Sequence, residues 1–261
     1  MVGICFLVAF FASVLGKICG MGGGVIIKPV LDACQAASMA AIHFYSGCTV
    51  LGMSCWSVGK AVWKKDSQLD FRVSTPLAVG AAVGGLLGKE LYTRLTGGLP
   101  DADMVGGLQA LLLFAATLAT LIYTIFRRRF SAKQIQGLLP CAAIGLALGA
   151  LGSFLGIGGG PFNVAALYYF FAMSAKAAAQ NSLYIILISQ AAGTVKTILS
   201  GEVPEIMLPV LLGMILCGIL GSEVGGRLNC RLSEKKVSLL FQGAMVLVLG
   251  LNLYNMYRFF G

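Results

Sequence analysis

The chain has 261 residues, of which 58% are hydrophobic and 11% charged, and a mean hydropathy of +0.88. Set against the roughly 25% charged residues of soluble domains, these values exclude a soluble globular protein and leave one helical bundle in a membrane, without an extramembrane domain. The net charge of +9 would invite a nucleic-acid reading in a soluble chain; here its distribution among the connections sets topology, and no nucleic-acid partner is implied.

Residues 2–16 open the chain as an apolar segment without a basic leader, which reads as retained in the membrane rather than as a cleaved signal peptide. After Lys17, the run Gly20-Met21-Gly22-Gly23-Gly24 interrupts the apolar pattern. Consecutive glycines lose too much backbone entropy to favour a helix interior, and the polar backbone they free cannot be satisfied by lipid, so the break must line something. Pro29 suits the first turn of a helix and pushes Lys28 away from helical angles, so residues 20–28 are expected to be unwound. Apolar segments follow at 36–63, 73–95 and 102–126, closed by Arg127-Arg128-Arg129. The pattern restarts at 135–174, with Gly156-Ile157-Gly158-Gly159-Gly160 inside it and Pro161 marking a helix start directly after. Segments 177–199, 204–228 and 237–257 complete eight hydrophobic blocks.

The halves repeat. At an offset of 136, Gly16 meets Gly152, Gly22 to Gly24 meet Gly158 to Gly160, Ser38 meets Ser174, Ser46 meets Ser182 and Lys60 meets Lys196. At an offset of 133, Gly80, Gly85 and Gly88 meet Gly213, Gly218 and Gly221, while Glu90 and Arg94 meet Glu223 and Arg227. The economical reading is an all-α polytopic membrane protein with about eight hydrophobic segments in two repeats, 1–133 and 134–261, each with a glycine-broken first helix. Lys and Arg concentrate in the connections 60–72, 127–133 and 227–236 and are absent from Thr96 to Asp103 and Ser200 to Glu205. The first group should be cytoplasmic and the second external, which makes the repeats inverted and puts both termini outside. Counting crossings then requires a re-entrant hairpin or an additional crossing in each glycine-broken block, and the sequence leaves both open.

A helix that starts after a glycine turn offers free N–H groups and the positive end of its dipole, which favour an anion. Gly20, Gly22, Gly23 and Gly24 in the first turn, and Gly156, Gly158, Gly159 and Gly160 in the second, are therefore candidate substrate-binding residues; the alternative is that they only allow close helix packing. Lys28 is an intramembrane cation and a candidate by default, with snorkelling to an interface as its bland counterpart. Val164 stands at its matched position, so the site is expected to be asymmetric. Ser46, Ser182, Asn163 and Asn181 add hydroxyls and amides able to bind oxyanion oxygens. His43, Glu90 and Glu223 are candidate coupling groups, although Glu90 with Arg94 and Glu223 with Arg227 have the spacing of intrahelical ion pairs. With eight cysteines, no C-x-x-C and one histidine, neither a metal site nor a disulfide framework is implied. The chain lacks phosphate-loop, dinucleotide, H-E-x-x-H and Ser/His/Asp patterns, so neither a cofactor nor an enzyme is implied.

Eight apolar blocks in two halves, each opening with G-x-G-G-G in a broken helix, resemble the sulfite exporter TauE/SafE family of membrane permeases over nearly the whole chain. The resemblance implies an inverted-repeat secondary transporter of small anions, often sulfite, sulfonates or other sulfur-containing ones, multi-pass in a bacterial inner membrane. Its partners would be a small anionic solute and the lipid bilayer, and it leaves a homo-oligomer open. Family members commonly keep a proline some residues after the glycines: Pro29 fits, whereas Ala165 takes that place in the second half, with Pro161 earlier, so that half of the site is expected to be remodelled. Transport by alternating access is the leading reading; an anion channel using the same dipoles is the alternative.

Overall fold

A computed structural model describes residues 2–64, 68–98, 102–129, 132–155 and 158–260. Gly156, Lys65 and parts of the connections at Thr96 to Asp103 and 127–133 lie outside the described residues. The described residues form ten α-helices and no β-strand: α1 Val2–Cys19, α2 Gly24–Ala33, α3 Met39–Trp63, α4 Phe71–Gly98, α5 Ala102–Phe126, α6 Leu138–Phe154, α7 Gly160–Phe171, α8 Ala175–Leu199, α9 Leu208–Arg231 and α10 Glu234–Phe260. Five of them are long and apolar enough to cross a membrane, at Val2–Cys19, Phe71–Leu91, Ala175–Leu199, Leu208–Arg231 and Glu234–Tyr254. The equally long α3 is not one of the five; its Ser46, Thr49, Ser54 and Ser57 are buried. A polar stripe on a central helix marks a face turned away from lipid.

The helix boundaries have local causes. Ser38 precedes α3 and accepts a hydrogen bond from Ala41 N; Ser174, its match in the second half, does the same for α8 through Ala177 N. Each satisfies one of the orphan donors of a first turn. The stretch expected to be unwound at 20–28 is shorter than that: the chain leaves the helix only at Gly20–Gly23, and Lys28 and Pro29 lie within α2. Pro29 thus sits past the first turn, where it removes one N–H from the ladder. Close protein neighbours make such a proline tolerable at membrane depth, and Pro29 is buried among them.

Glycine decides which helices touch. Gly80, Gly84 and Gly88 of α4 face the carbonyls of Ala142, Leu146 and Ala150 of α6, while Gly145 and Gly149 of α6 face those of Leu77 and Ala81. A Cβ at any of these five would fall 2.0–2.3 Å from a carbonyl oxygen, so the backbones meet at a distance that only a small-residue seam permits. On the other flank Gly221 and Gly225 of α9 face the carbonyls of Phe10 and Val14 of α1. Both pairs run parallel. In the centre α3 and α8 run antiparallel, with Gly47 opposite Gln190 while Val50 and Ile186 meet over Gly22. Parallel neighbours complete each side: α9 beside α3 (Thr49 at Gly218, Lys60 at Glu223) and α4 beside α8 (Ser74 at Asn181, Lys89 at Thr197).

These directions sort the connections between two ends of the bundle. At one end Lys60 bonds Glu223, Gln68 N and Asp70 N bond Gln180 and Asn181, Lys133 N bonds Tyr169 O, and Ser174 bonds Glu234. At the other, Lys89 reaches Glu202, Lys196 reaches Glu90, and Tyr45 accepts from Met207 N.

Candidate functional site

Both glycine turns owe their shape to residues with positive φ. Gly20 (φ 74°) and Gly22 (φ 69°) supply it in the first, Gly158 (φ 67°) and Gly159 (φ 75°) in the second; L side chains rarely adopt this region. Gly23, by contrast, has φ −70° and an ordinary helical conformation. The turns touch each other. A Cβ on Gly160 would lie 1.8 Å from Met21 O, and one on Gly20 would lie 2.3 Å from Ala179 Cα. Across this seam Ser182 Oγ donates to Gly20 O at 2.6 Å, with Gly160 O at 3.5 Å. Beneath each turn sits a further glycine, Gly16 against Gly22 and Gly152 against Gly159.

The starts of α2 and α7, at Gly23 and Gly159, have no side-chain cap. Alongside them lies a cavity of about 130 Å³ bounded by α3, α4, α6 and α8 and lined by Met21, Gly24, Gly158 and Gly159 of the turns. That is below the roughly 300–1,000 Å³ of pockets enclosing drug-sized ligands, so the cavity is scaled to a small solute. Its polar lining comprises Ser46, Ser153, Asn163, Ser189, Gln190, Thr194 and Thr197, with His43 and Lys89. Among the described residues no carboxylate lines it. Asn163 is 3% exposed, and among the described residues neither its amide oxygen nor Ser189 Oγ has a hydrogen-bond partner. Lys89 is held at the far end, donating to Thr197 Oγ1 at 3.3 Å with Glu202 at 3.9 Å. Uncapped helix starts, hydroxyls, amides and a lysine form a surface that solvates negative charge.

Of the residues picked from sequence, Gly24, Ser46, Gly158, Gly159, Asn163 and His43 line this cavity. Gly20, Gly22, Gly23, Gly160 and Ser182 shape the turns and their seam from behind. Lys28 is half-buried on α2 and does not line the cavity, though it and Lys89 are both within Coulombic reach of His43. Asn181 serves elsewhere: its amide donates to Gln68 O and Ala177 O and accepts from Asp70 N and Ser74 Oγ, clamping the entry to α4. Glu90 and Glu223 stand at opposite ends of the bundle, each paired with the arginine four residues on, and each also meets a lysine from a neighbouring helix, Lys196 or Lys60. Sequence reasoning missed Lys89, Gln190 and the hydroxyls of Ser153, Ser189, Thr194 and Thr197. Applied evenly, the argument that singled out Lys28 as an intramembrane lysine would have found Lys89 too.

A bundle with several apolar spans around a small cavity at paired helix breaks is the architecture of a solute transporter. The family model for the sulfite exporter TauE/SafE matches residues 5–253. The chain belongs to that family and is a multi-pass membrane transporter. It is also 22% identical over 268 residues to the probable membrane transporter protein YunE of Bacillus subtilis (strain 168), the alignment covering 94% of each chain. No solved structure matches it significantly.

Proposed function

We propose that this transporter carries a small sulfur-containing or organic oxyanion, with sulfite or a sulfonate the leading solute, by alternating access across a bacterial inner membrane. The observation that carries the reading is that both glycine turns line one small cavity whose ionisable lining, among the described residues, is Lys89 and His43 without a carboxylate. The uncapped starts of α2 and α7 would receive the anion's charge, Ser46, Asn163 and Ser189 its oxygens, and Lys89 would set the sign of the field along the cavity. Lys28 would add to that field from behind.

The fold supports two inverted repeats, residues 1–133 and 134–261. Exchanging α1 to α5 for α6 to α10 turns the α1 with α9 contact into α6 with α4, and α3 with α9 into α8 with α4. The matched central helices α3 and α8 are antiparallel, as inversion requires. Because α1 and α3 both run parallel to α9, the chain returns between them by way of the turn and α2, which supports an additional passage in the glycine-broken block. The end holding Lys60, Lys64, Arg72, Lys133, Arg227 and Lys235 would be cytoplasmic. The cavity, which runs toward Lys89 and Thr197, would face outward in this state.

Purified protein in proteoliposomes tests the reading. Saturable sulfite or sulfonate flux with counterflow is expected, and Lys89→Met should raise the half-saturating concentration about tenfold to a hundredfold, the weight of one charge-assisted hydrogen bond. Unsaturable currents at channel rates, or Lys89→Met kinetics equal to the parent's, would refute it.

A further inference from the structure

A second cavity, of about 330 Å³, lies between α1, α3 and α9 at the basic end of the bundle. Five of its lining positions are the repeat counterparts of positions lining the first: Lys17 of Ser153, Ser57 of Gly193, Ala61 of Thr197 and Gln180 of Phe44 at the offset of 136, and Ser222 of Lys89 at 133. At two of these the residue types change places. The first cavity has Lys89 on α4 and Ser153 on α6; the second has Ser222 on α9 and Lys17 on α1. Each cavity therefore holds one lysine and one serine at the same pair of positions, with the lysine donated by the opposite member. In each, the lysine Nζ donates to a hydroxyl on the adjacent central helix, Lys89 to Thr197 Oγ1 and Lys17 to Ser57 Oγ.

The place of Lys17 is built. Gly225 and Gly226 of α9 lie against its stem, where a Cβ would come 3.0 Å from Lys17 Cβ and 3.6 Å from Lys17 Cε, respectively. Among the described lining residues the carboxylate is Glu223, engaged by Lys60 Nζ at 2.5 Å, Trp56 Nε1 at 3.1 Å and Arg227 Nε at 3.0 Å. With that acid held by its own donors, Lys17, Lys64 and Lys176 leave the described lining positive. A lysine at membrane depth is costly. Packing alone gives no reason for its counterpart in the other repeat to appear on the exchanged helix, whereas a path that must attract an anion at both ends does.

The geometry points to the Lys17 cavity as a second chamber for the same small oxyanion, through which it passes at the basic end. This inference rests on the transport reading above, but its test does not. The chain has two tryptophans; Trp56 lines the chamber, and Trp63, 89% exposed, does not. Trp63→Phe thus leaves one reporter in the chamber of the full-length protein. A focused positive field raises the local concentration of anions about tenfold or more. Iodide should therefore quench Trp56 about tenfold more effectively than caesium, and sulfite should compete with iodide. Lys17→Met should remove at least two thirds of the iodide advantage, Lys17→Gln should do the same while keeping a donor toward Ser57, and Lys89→Met should leave it intact. Equal quenching by iodide and caesium, or an advantage that survives both Lys17 variants, would overturn the proposal. So would iodide quenching abolished in phosphatidylglycerol nanodiscs but not in phosphatidylcholine ones, which would make the occupant a lipid headgroup. Failed sulfite flux with the quenching pattern intact would instead count against the transport reading alone.

Discussion

Gly160→Ala separates steric need from conformational need at the seam between the two turns. Gly160 begins α7 and is not among the positive-φ glycines, so alanine suits its backbone. The added Cβ would nevertheless lie 1.8 Å from Met21 O, 2.6 Å from Met21 C and 3.0 Å from Met21 Cα. All three are backbone atoms of the opposing turn, fixed by Gly20 and Gly22, so no side-chain rotation relieves the clash. Restoring ordinary contact requires the turns to part by about 1.5 Å, which also stretches the Ser182 to Gly20 hydrogen bond across the same seam. Overpacking of this kind costs about 1–3 kcal/mol and the weakened bond about 1 kcal/mol more. The measurement is the unfolding midpoint of purified protein in detergent, paired with sulfite flux at equal reconstitution. Gly59→Ala, where a Cβ would meet nothing within 4 Å, is the control. Gly160→Ala should melt several degrees below that control and lose most of its flux. If the two variants melt together and transport equally, the turns do not bear on each other and the seam carries no part of the site.

Lys28→Met should raise the half-saturating solute concentration less than Lys89→Met does, because Lys28 stands outside the cavity lining; a larger effect for Lys28→Met in the same flux assay would move the site toward α2. Gly159→Ala forces an L residue to φ 75° and should lose about 1–2 kcal/mol in thermal unfolding, whereas Gly23→Ala, at φ −70° with nearest atoms 3.2 Å away, should lose less. Asn181→Ala removes the clamp on Gln68, Asp70 and Ser74 and should lower the melting temperature by several degrees without changing the solute affinity of the protein that remains folded. Single cysteines at positions 133 and 203 should be labelled from opposite faces of the membrane, and labelling of both from one face would refute the proposed inverted repeats.

The helical class was legible because apolar runs interrupted by charged connections leave no other solution in lipid. Ser38 and Ser174 stood out in the sequence only as a repeat match; that each caps the helix that follows is visible in the structure. The extent of unwinding was not legible. A rule that places proline in a first turn predicts an irregular 20–28, yet α2 begins at Gly24 and runs through Pro29. The rule describes an isolated helix, and it yields where neighbouring helices enclose the freed backbone. Gly23 was likewise grouped with the turn formers because it adjoins Gly22, although only φ values distinguish a residue that needs glycine from one that tolerates it.

The cavity was harder to read, because no single segment contains it. Hydrophobic periodicity assigns a face to one helix at a time, while this lining is assembled from α3, α4, α6 and α8 and both turns. Lys89 and Glu90 are adjacent in sequence and lie about 100° apart around α4. Glu90 turns to Lys196 and Arg94, and Lys89 turns inward to Thr197. The repeat match of Glu90 with Glu223 drew attention to the acid, and the absence of a match hid the lysine beside it. Comparing halves for identity finds what both need for folding: glycines at seams, caps and end-of-bundle ion pairs. The two cavities differ where the halves differ, Lys89 against Ser222 and Ser153 against Lys17, and only the three-dimensional neighbours of these residues bring the exchanged lysines to notice.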